Sequence, residues 1–131
     1  MAEVLVVDDD AEIRSALRLV LEDEQYTVFE APDGESALTR LRTHPSPLVV
    51  LLDWHMPGID GIQVLNALAS DTPLTHRHAF ILLTAAAVSD VRPLPSLSPK
   101  LDVQVMGKPF DIDDLLLMVR DAVARVTGPQ A

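Results

Sequence analysis

The feature that most limits the folds open to this chain is a repeated pairing of a short apolar run, cut off by a polar residue, with a segment of helical period. Residues 4–7 are valine or leucine and stop at Asp8-Asp9-Asp10, and residues 48–52, the most apolar run of all, stop at Asp53. Residues 27–31, 80–83 and 103–106 read as three more strands, the last two stopping at Thr84 and at Gly107-Lys108-Pro109. Short runs of this kind, apolar on consecutive residues, are what a parallel sheet covered on both faces requires. Between them Ile13, Ala16, Leu17, Val20 and Leu21 recur at helical spacing, as do Ala37, Leu38 and Leu41, then Val64, Leu65 and Leu68. A last stripe carries Leu115, Met118, Val119, Ala122 and Val126. The alternation defines an α/β fold, a parallel sheet with helices on both faces.

Local signals punctuate this pattern. Pro32-Asp33-Gly34 and Pro57-Gly58 are turn chemistry, Asp60 with Gln63 fits a capping box, and Asp111 is placed to cap the last helix. Prolines at 93, 95 and 99 forbid a regular helix through that stretch, so any helix between strands four and five is expected to be short or irregular. The 131 residues fit one domain, expected over residues 1–126, with 127–131 a tail or the start of a linker.

Composition removes several functions. Twenty acidic against ten basic residues give a net charge of −10, which opposes direct nucleic-acid binding by this chain. The absence of cysteine excludes thiolate metal sites and cysteine nucleophiles. The longest nearly apolar stretch, residues 79–88, is about half a bilayer span, and the start lacks a basic leader, so a soluble, cytoplasmic protein with no membrane partner is expected. The five glycines form no nucleotide fingerprint, no serine elbow follows a strand, and His44, His76 and His78 read as solvated loop residues.

Parallel strands joined by right-handed crossovers bring their carboxyl ends to one edge, where ligands bind. That edge would gather Asp8, Asp9, Asp10, Asp53, Thr84 and Lys108. Two carboxylates about 4 Å apart repel by roughly 4 kcal/mol at an effective dielectric of 20, so a cation belongs among them. Oxygen-only donors point to a hard ion, and a few carboxylates beside phosphate oxygens are typical of Mg²⁺. A carboxylate next to Mg²⁺, a hydroxyl and a lysine is also a fitting nucleophile toward phosphorus. Asp10 reads instead as a carboxylate favouring the start of the first helix.

The segments Leu5-Val6-Val7-Asp8-Asp9-Asp10, Leu51-Leu52-Asp53-Trp54-His55-Met56-Pro57-Gly58-Ile59-Asp60-Gly61, Thr84-Ala85 and Lys108-Pro109-Phe110, in this order, resemble the receiver domain of two-component response regulators. The resemblance covers residue 3 to about residue 126 and implies a flavodoxin-like five-stranded sheet ordered 2-1-3-4-5. It implies that Asp53 is the phosphoacceptor, with Thr84 hydrogen-bonding the phosphoryl group and Lys108 pairing with it. It further implies Mg²⁺ held by Asp9 directly, by Asp8 largely through water, by Asp53 and by the backbone carbonyl of His55. A cis bond before Pro109 is expected on the same ground. The implied partners are a sensor histidine kinase or histidine phosphotransfer protein and a downstream protein target. Such a domain is a signalling module rather than an enzyme, catalysing only its own phosphorylation and dephosphorylation.

The chain departs from the pattern at Val105, where receivers usually carry an aromatic switch three residues before the lysine, and in the proline cluster. Atypical coupling to output is therefore expected, running through the loops at 54–58 and 85–91. His55 and Ala86 occupy the places where receivers tune phosphoryl lifetime. Two other readings use the same residues. One is a pseudo-receiver that binds partners without phosphorylation. The other is a small Mg²⁺-dependent phosphohydrolase of the haloacid-dehalogenase type, with Asp8 as nucleophile in Asp8-x-Asp10, against which stand Ala11-Glu12 and the lack of room for a cap domain.

Overall fold

A computed structural model describes residues 2–70, 77–85 and 101–127. Its strands are β1 (Glu3–Val7), β2 (Thr27–Ala31), β3 (Val49–Asp53), β4 (Ala79–Thr84) and β5 (Asp102–Gly107). The described helices, numbered here in chain order, are α1 (Ala11–Asp23), α2 (Gly34–Thr43), α3 (Gly61–Ala69) and α4 (Ile112–Thr127). All strand pairs are parallel, and the sheet order is β2-β1-β3-β4-β5, as the resemblance implies. The expectation of a short or irregular helix between strands four and five falls on residues 86–100, outside the described residues, as do Ala86, His76 and residues 128–131.

Successive side chains of a strand point to opposite faces, so each apolar run supplies two cores. Leu5, Val7, Val50, Leu52, Phe80 and Leu82 meet Leu38 and Leu41 of α2 and Leu65 and Leu68 of α3. Val4, Val6, Leu51, Ile81 and Leu83 meet Leu17 and Leu21 of α1 and Leu115, Val119 and Ala122 of α4 on the other side. Every residue of β3 and β4 is buried, which explains why these two runs lack polar alternation. Among the described residues, no helix is long and apolar enough to cross a membrane.

The helix starts follow the capping signals. Asp10 is the N-cap of α1 and accepts from the Glu12 and Ile13 amides, while Asp60 and Gln63 form a reciprocal capping box on α3. Asp111 accepts from the Asp113 amide at the start of α4. The stripe on α1 is narrower than its spacing predicts: Leu17 and Leu21 are buried, whereas Ile13 is 37% exposed and Ala16 is also open to solvent. The first turn of α1 stands beside the acidic end of β1, and the helix reaches the core only from its second turn onward.

The histidines correct the sequence reading. His44 and His78 are buried, not solvated. His78 precedes β4, where the Leu48 amide donates to its Nδ1 at 3.0 Å, which leaves the proton on Nε2, 2.9 Å from the Leu41 carbonyl. That carbonyl is in the last turn of α2, where helix geometry supplies no partner. One imidazole thus joins α2 to the start of β3. His44, at the end of α2, pairs with Glu3 at 2.9 Å and packs edge-on against Phe29. The signal was present: the run of apolar residues starts directly after His78, so a side chain there enters the core rather than water.

Burial holds His78 below the ordinary histidine range, against the opposing hydrogen bond to the Leu41 carbonyl, with Arg77 and His44 adding to the lowering. The folded chain therefore keeps this ring neutral while the unfolded chain binds a proton as pH drops through about 6.5, so acid weakens the fold over that range. We expect His78→Leu, which strands the Leu48 amide, to lose about 2–3 kcal/mol at neutral pH in denaturant unfolding. His78→Gln can keep both bonds and does not titrate, so its stability should fall less between pH 7.5 and 5.5 than that of the parent. Equal pH slopes in the parent and the Gln variant would contradict the assignment.

Candidate functional site

Of the residues expected on one edge of the sheet, the carboxylates of Asp8, Asp9 and Asp53 are brought together there with Lys108, and Thr84 ends the neighbouring strand. Asp8 follows β1, Asp53 ends β3, Thr84 ends β4 and Lys108 follows β5. Asp8, Asp53 and Thr84 are buried, and Asp9 is exposed at the rim. The loops after β3 and β5 are tied to β4: the Trp54 amide donates to the Leu83 carbonyl at 2.9 Å and the Lys108 amide to the Thr84 carbonyl at 2.7 Å. The Lys108–Pro109 peptide is cis, as expected.

Charge dominates this edge. Carboxylate oxygens of Asp8, Asp9 and Asp53 lie within 4.8 Å of one another. Lys108 reaches over from β5, its Nζ 3.0 Å from Asp53 Oδ1 and 3.9 Å from Asp8 Oδ2. Asp8 Oδ1 accepts from the Asp10 amide at 2.9 Å, whereas Oδ2 is buried with no hydrogen-bond partner among the described residues. Burial raises the Asp8 carboxyl above its usual range, and the neighbouring Asp53 and Asp9 charges push it the same way, against the Asp10 hydrogen bond and Lys108. Among the described residues, three carboxylates and one ammonium leave a net negative cluster with one buried oxygen lacking a donor. Such a cluster suits a hard cation, and its donors are all oxygen.

His55 is exposed, its ring stacked on Trp54 at a centroid distance of 5.3 Å. Asp10 is spent on capping α1 and stands apart from the three grouped carboxylates. Val105 is partly buried, pairs with Leu82 on β4 and packs against the α2–α3 core.

The sequence reading missed two contributors. Gly61 starts α3 beside the end of β3: a Cβ there would lie 2.8 Å from the Asp53 carbonyl oxygen and 3.0 Å from Trp54 Cα. The Gly61 amide donates to the Trp54 carbonyl at 2.9 Å, so the absent side chain permits a close approach that fixes the turn carrying Asp53. The Asp-Gly pair before a helix marks a cap but not this contact. The second contributor is Arg14 with Glu30, whose hydrogen bonds reach the backbone of Asp8. Its signal is Glu30, the one charged residue inside the run 27–31.

A family model described as the response regulator receiver domain matches residues 4–120. The chain belongs to that family. The phosphate regulon transcriptional regulatory protein PhoB of Escherichia coli (strain K12) is 34% identical over 128 residues, covering 98% of this chain and 54% of PhoB. The chain spans about half the length of the curated relatives of this kind that it matches. Among solved structures, a CheY-like response regulator receiver domain protein from Methanospirillum hungatei JF-1 superposes with a TM-score of 0.82 at 31% identity, covering 98% of each chain. The response regulator TrrA from Thermotoga maritima, solved in complex with Mg²⁺ and beryllofluoride, gives a TM-score of 0.75 at 32% identity over 93% of this chain and 99% of that one.

An alanine at the first position of an ordinary helix stabilises relative to glycine by up to about 1 kcal/mol. Gly61→Ala should instead destabilise by about 1–3 kcal/mol, because the Cβ must displace the Asp53 carbonyl, and should shift Trp54 emission. Urea unfolding followed at Trp54 measures both, and a stabilised variant with unchanged emission would refute the close-approach argument.

Proposed function

We propose that this domain accepts a phosphoryl group on Asp53, from a phosphohistidine of a sensor kinase or phosphotransfer protein, and relays the signal to a protein target. The observation that carries this reading is the placement of Lys108 Nζ 3.0 Å from Asp53 Oδ1, with the carboxylates of Asp8 and Asp9 alongside. A carboxylate buried at a sheet edge beside a lysine and a threonine is placed for attack on phosphorus. The new bond is the acyl phosphate P–O bond, the bond broken is the donor's P–N bond, and the electron pair leaves on the imidazole nitrogen.

Mg²⁺ fits this donor set, since the donors are carboxylate oxygens and, among the described residues, Asp8 Oδ2 is buried without a hydrogen-bond partner. Asp8, Asp9, Asp53 and the His55 carbonyl would hold it, and bound there it would offset the charge on the phosphoryl oxygens. Lys108 supplies the matching positive charge from β5, and the Thr84 hydroxyl, at the end of β4, supplies a hydrogen bond to a phosphoryl oxygen. Asp10 takes no part, being committed to the start of α1.

Incubation with acetyl phosphate and Mg²⁺ should add one phosphoryl group by intact-mass spectrometry. Asp53→Asn should abolish the addition, Asp10→Asn should retain it, and Lys108→Met should slow it about a hundredfold. Labelling at Asp8 would indicate the phosphohydrolase chemistry instead, and the absence of any label would indicate a phosphorylation-independent binding module.

The readout follows from Val105. Valine has few χ1 states and no polar tip, so it cannot report a movement of Thr84 by swinging inward. Coupling runs instead through the loop at 54–58, which is hydrogen-bonded to β4 beside Thr84. Mg²⁺ with beryllofluoride should change Trp54 fluorescence and slow amide exchange at residues 54–58 while leaving residues around 105 nearly unchanged. Equal slowing at β5 and α4 would show that the output face switches without an aromatic.

A further inference from the structure

Arg14, on α1, is the link between the acidic end of β1 and the edge of the sheet. Its Nη1 donates to the Asp8 backbone carbonyl at 2.7 Å and its Nε to Glu30 Oε1 at 3.1 Å. Glu30 is braced in turn: Arg18 Nη1 donates to its other oxygen at 2.7 Å, and Arg18 Nε to Glu22 at 3.1 Å. The Arg14 and Glu30 side chains are 16% and 27% exposed, so this contact is better shielded than an open surface pair.

The carbonyl that Arg14 holds belongs to the peptide plane joining Asp8 to Asp9. Six atoms, including both Cα atoms, move with that plane. The Asp8 amide is already fixed, donating to the Ala31 carbonyl of β2 at 3.2 Å. With the amide held on one side and the carbonyl on the other, the backbone at residue 8 has little freedom left, and the directions in which the Asp8 and Asp9 carboxylates leave the chain are set. We propose that Arg14, braced by Glu30, is a positioning residue for divalent-cation binding at this edge. The inference rests on reading the site as one that binds Mg²⁺, and extends that reading to a residue outside the carboxylate cluster.

Two properties of the guanidinium make the idea testable. It is permanently charged, so if Arg14 acted only through its charge, removing it would relieve repulsion and tighten Mg²⁺ binding. A positioning role predicts the opposite sign. It is also a planar fork, able to meet a carbonyl and a carboxylate with two separate N–H groups, which a lysine ammonium on a flexible stem reproduces poorly.

The experiment compares the full chain with Arg14→Met, Arg14→Lys and Glu30→Gln. Mg²⁺ alone is titrated against Trp54 fluorescence, and amide exchange at residues 8–10 is followed by NMR in metal-free buffer. Arg14→Met should raise the Mg²⁺ midpoint roughly tenfold, the usual scale for a group that orients a metal ligand. Arg14→Lys should fall between, and Glu30→Gln should shift the midpoint in the same direction. Amides 9 and 10 should exchange faster in Arg14→Met without metal, and phosphorylation by acetyl phosphate should recover its parental rate at saturating Mg²⁺. Should Arg14→Met fail to fold, the Lys and Gln variants decide. If the parent responds to Mg²⁺ but the variants titrate at the parental midpoint or below it, the positioning role is refuted while the site reading stands. If the parent gives neither a Mg²⁺ response nor a phosphoryl label, the site reading fails and the inference fails with it.

Discussion

The contact on which the site depends is the ion pair between Lys108 and Asp53, reaching from the end of β5 to the end of β3. Three carboxylates share this edge, and unit charges at about 4 Å repel by roughly 4 kcal/mol even at an effective dielectric of 20. Among the described residues one ammonium offsets part of that, and the Asp8 carboxyl is raised, first by burial and then by the neighbouring Asp53 and Asp9 charges. A fold concerned only with stability would place apolar or neutral groups at these strand ends. The surplus negative charge instead suits the edge to a cation, and the carboxylates are held in place for one, because each is carried by a buried strand or the turn directly after it.

The rest of the architecture maintains this edge. Burial on both faces fixes the register of β1, β3 and β4, so that Asp8, Asp53 and Thr84 arrive side by side. Gly61 lets α3 close onto the Asp53 carbonyl, and the amides of Trp54 and Lys108 bind the loops to β4. Toward the opposite edge of the sheet, His78 joins the last turn of α2 to the start of β3 through one neutral ring. The two features are thereby separated in space: the clustered carboxylates lie where the strands end, and the hydrogen bonds of His78 where β3 and β4 begin.

Much of this was legible in the sequence because period and chemistry coincide. Each strand that ends at the candidate site is an apolar run cut off by a polar group, so Asp8, Asp53, Thr84 and Lys108 mark both a boundary and a candidate site residue. The capping residues Asp10, Asp60 and Asp111 were readable for a similar reason, since a cap acts within four residues of itself. What escaped depends on tertiary neighbours. The burial of His78 arises from its carbonyl and amide partners, 37 and 30 residues distant. The grip of Arg14 on Asp8 needs Glu30 from the edge strand, and the role of Gly61 needs the path of β3. The width of the α1 stripe was overestimated because spacing shows which side chains share a face, but not where along the helix the core begins.

The central claim, that the carboxylate cluster opposes folding when alone and favours it once a cation is bound, is tested most directly by thermal unfolding of the parent and Asp8→Asn across a Mg²⁺ titration. Binding to the folded state alone adds about 2.7 kcal/mol at a ligand concentration one hundred times the dissociation constant. In metal-free buffer the Asn variant should melt above the parent, because it removes a charge that burial disfavours. In saturating Mg²⁺ the order should reverse, because the variant has lost one of the carboxylate charges that would hold the ion. Two melting curves that rise together with Mg²⁺, or a parent indifferent to it, would show that these carboxylates do not form a cation site.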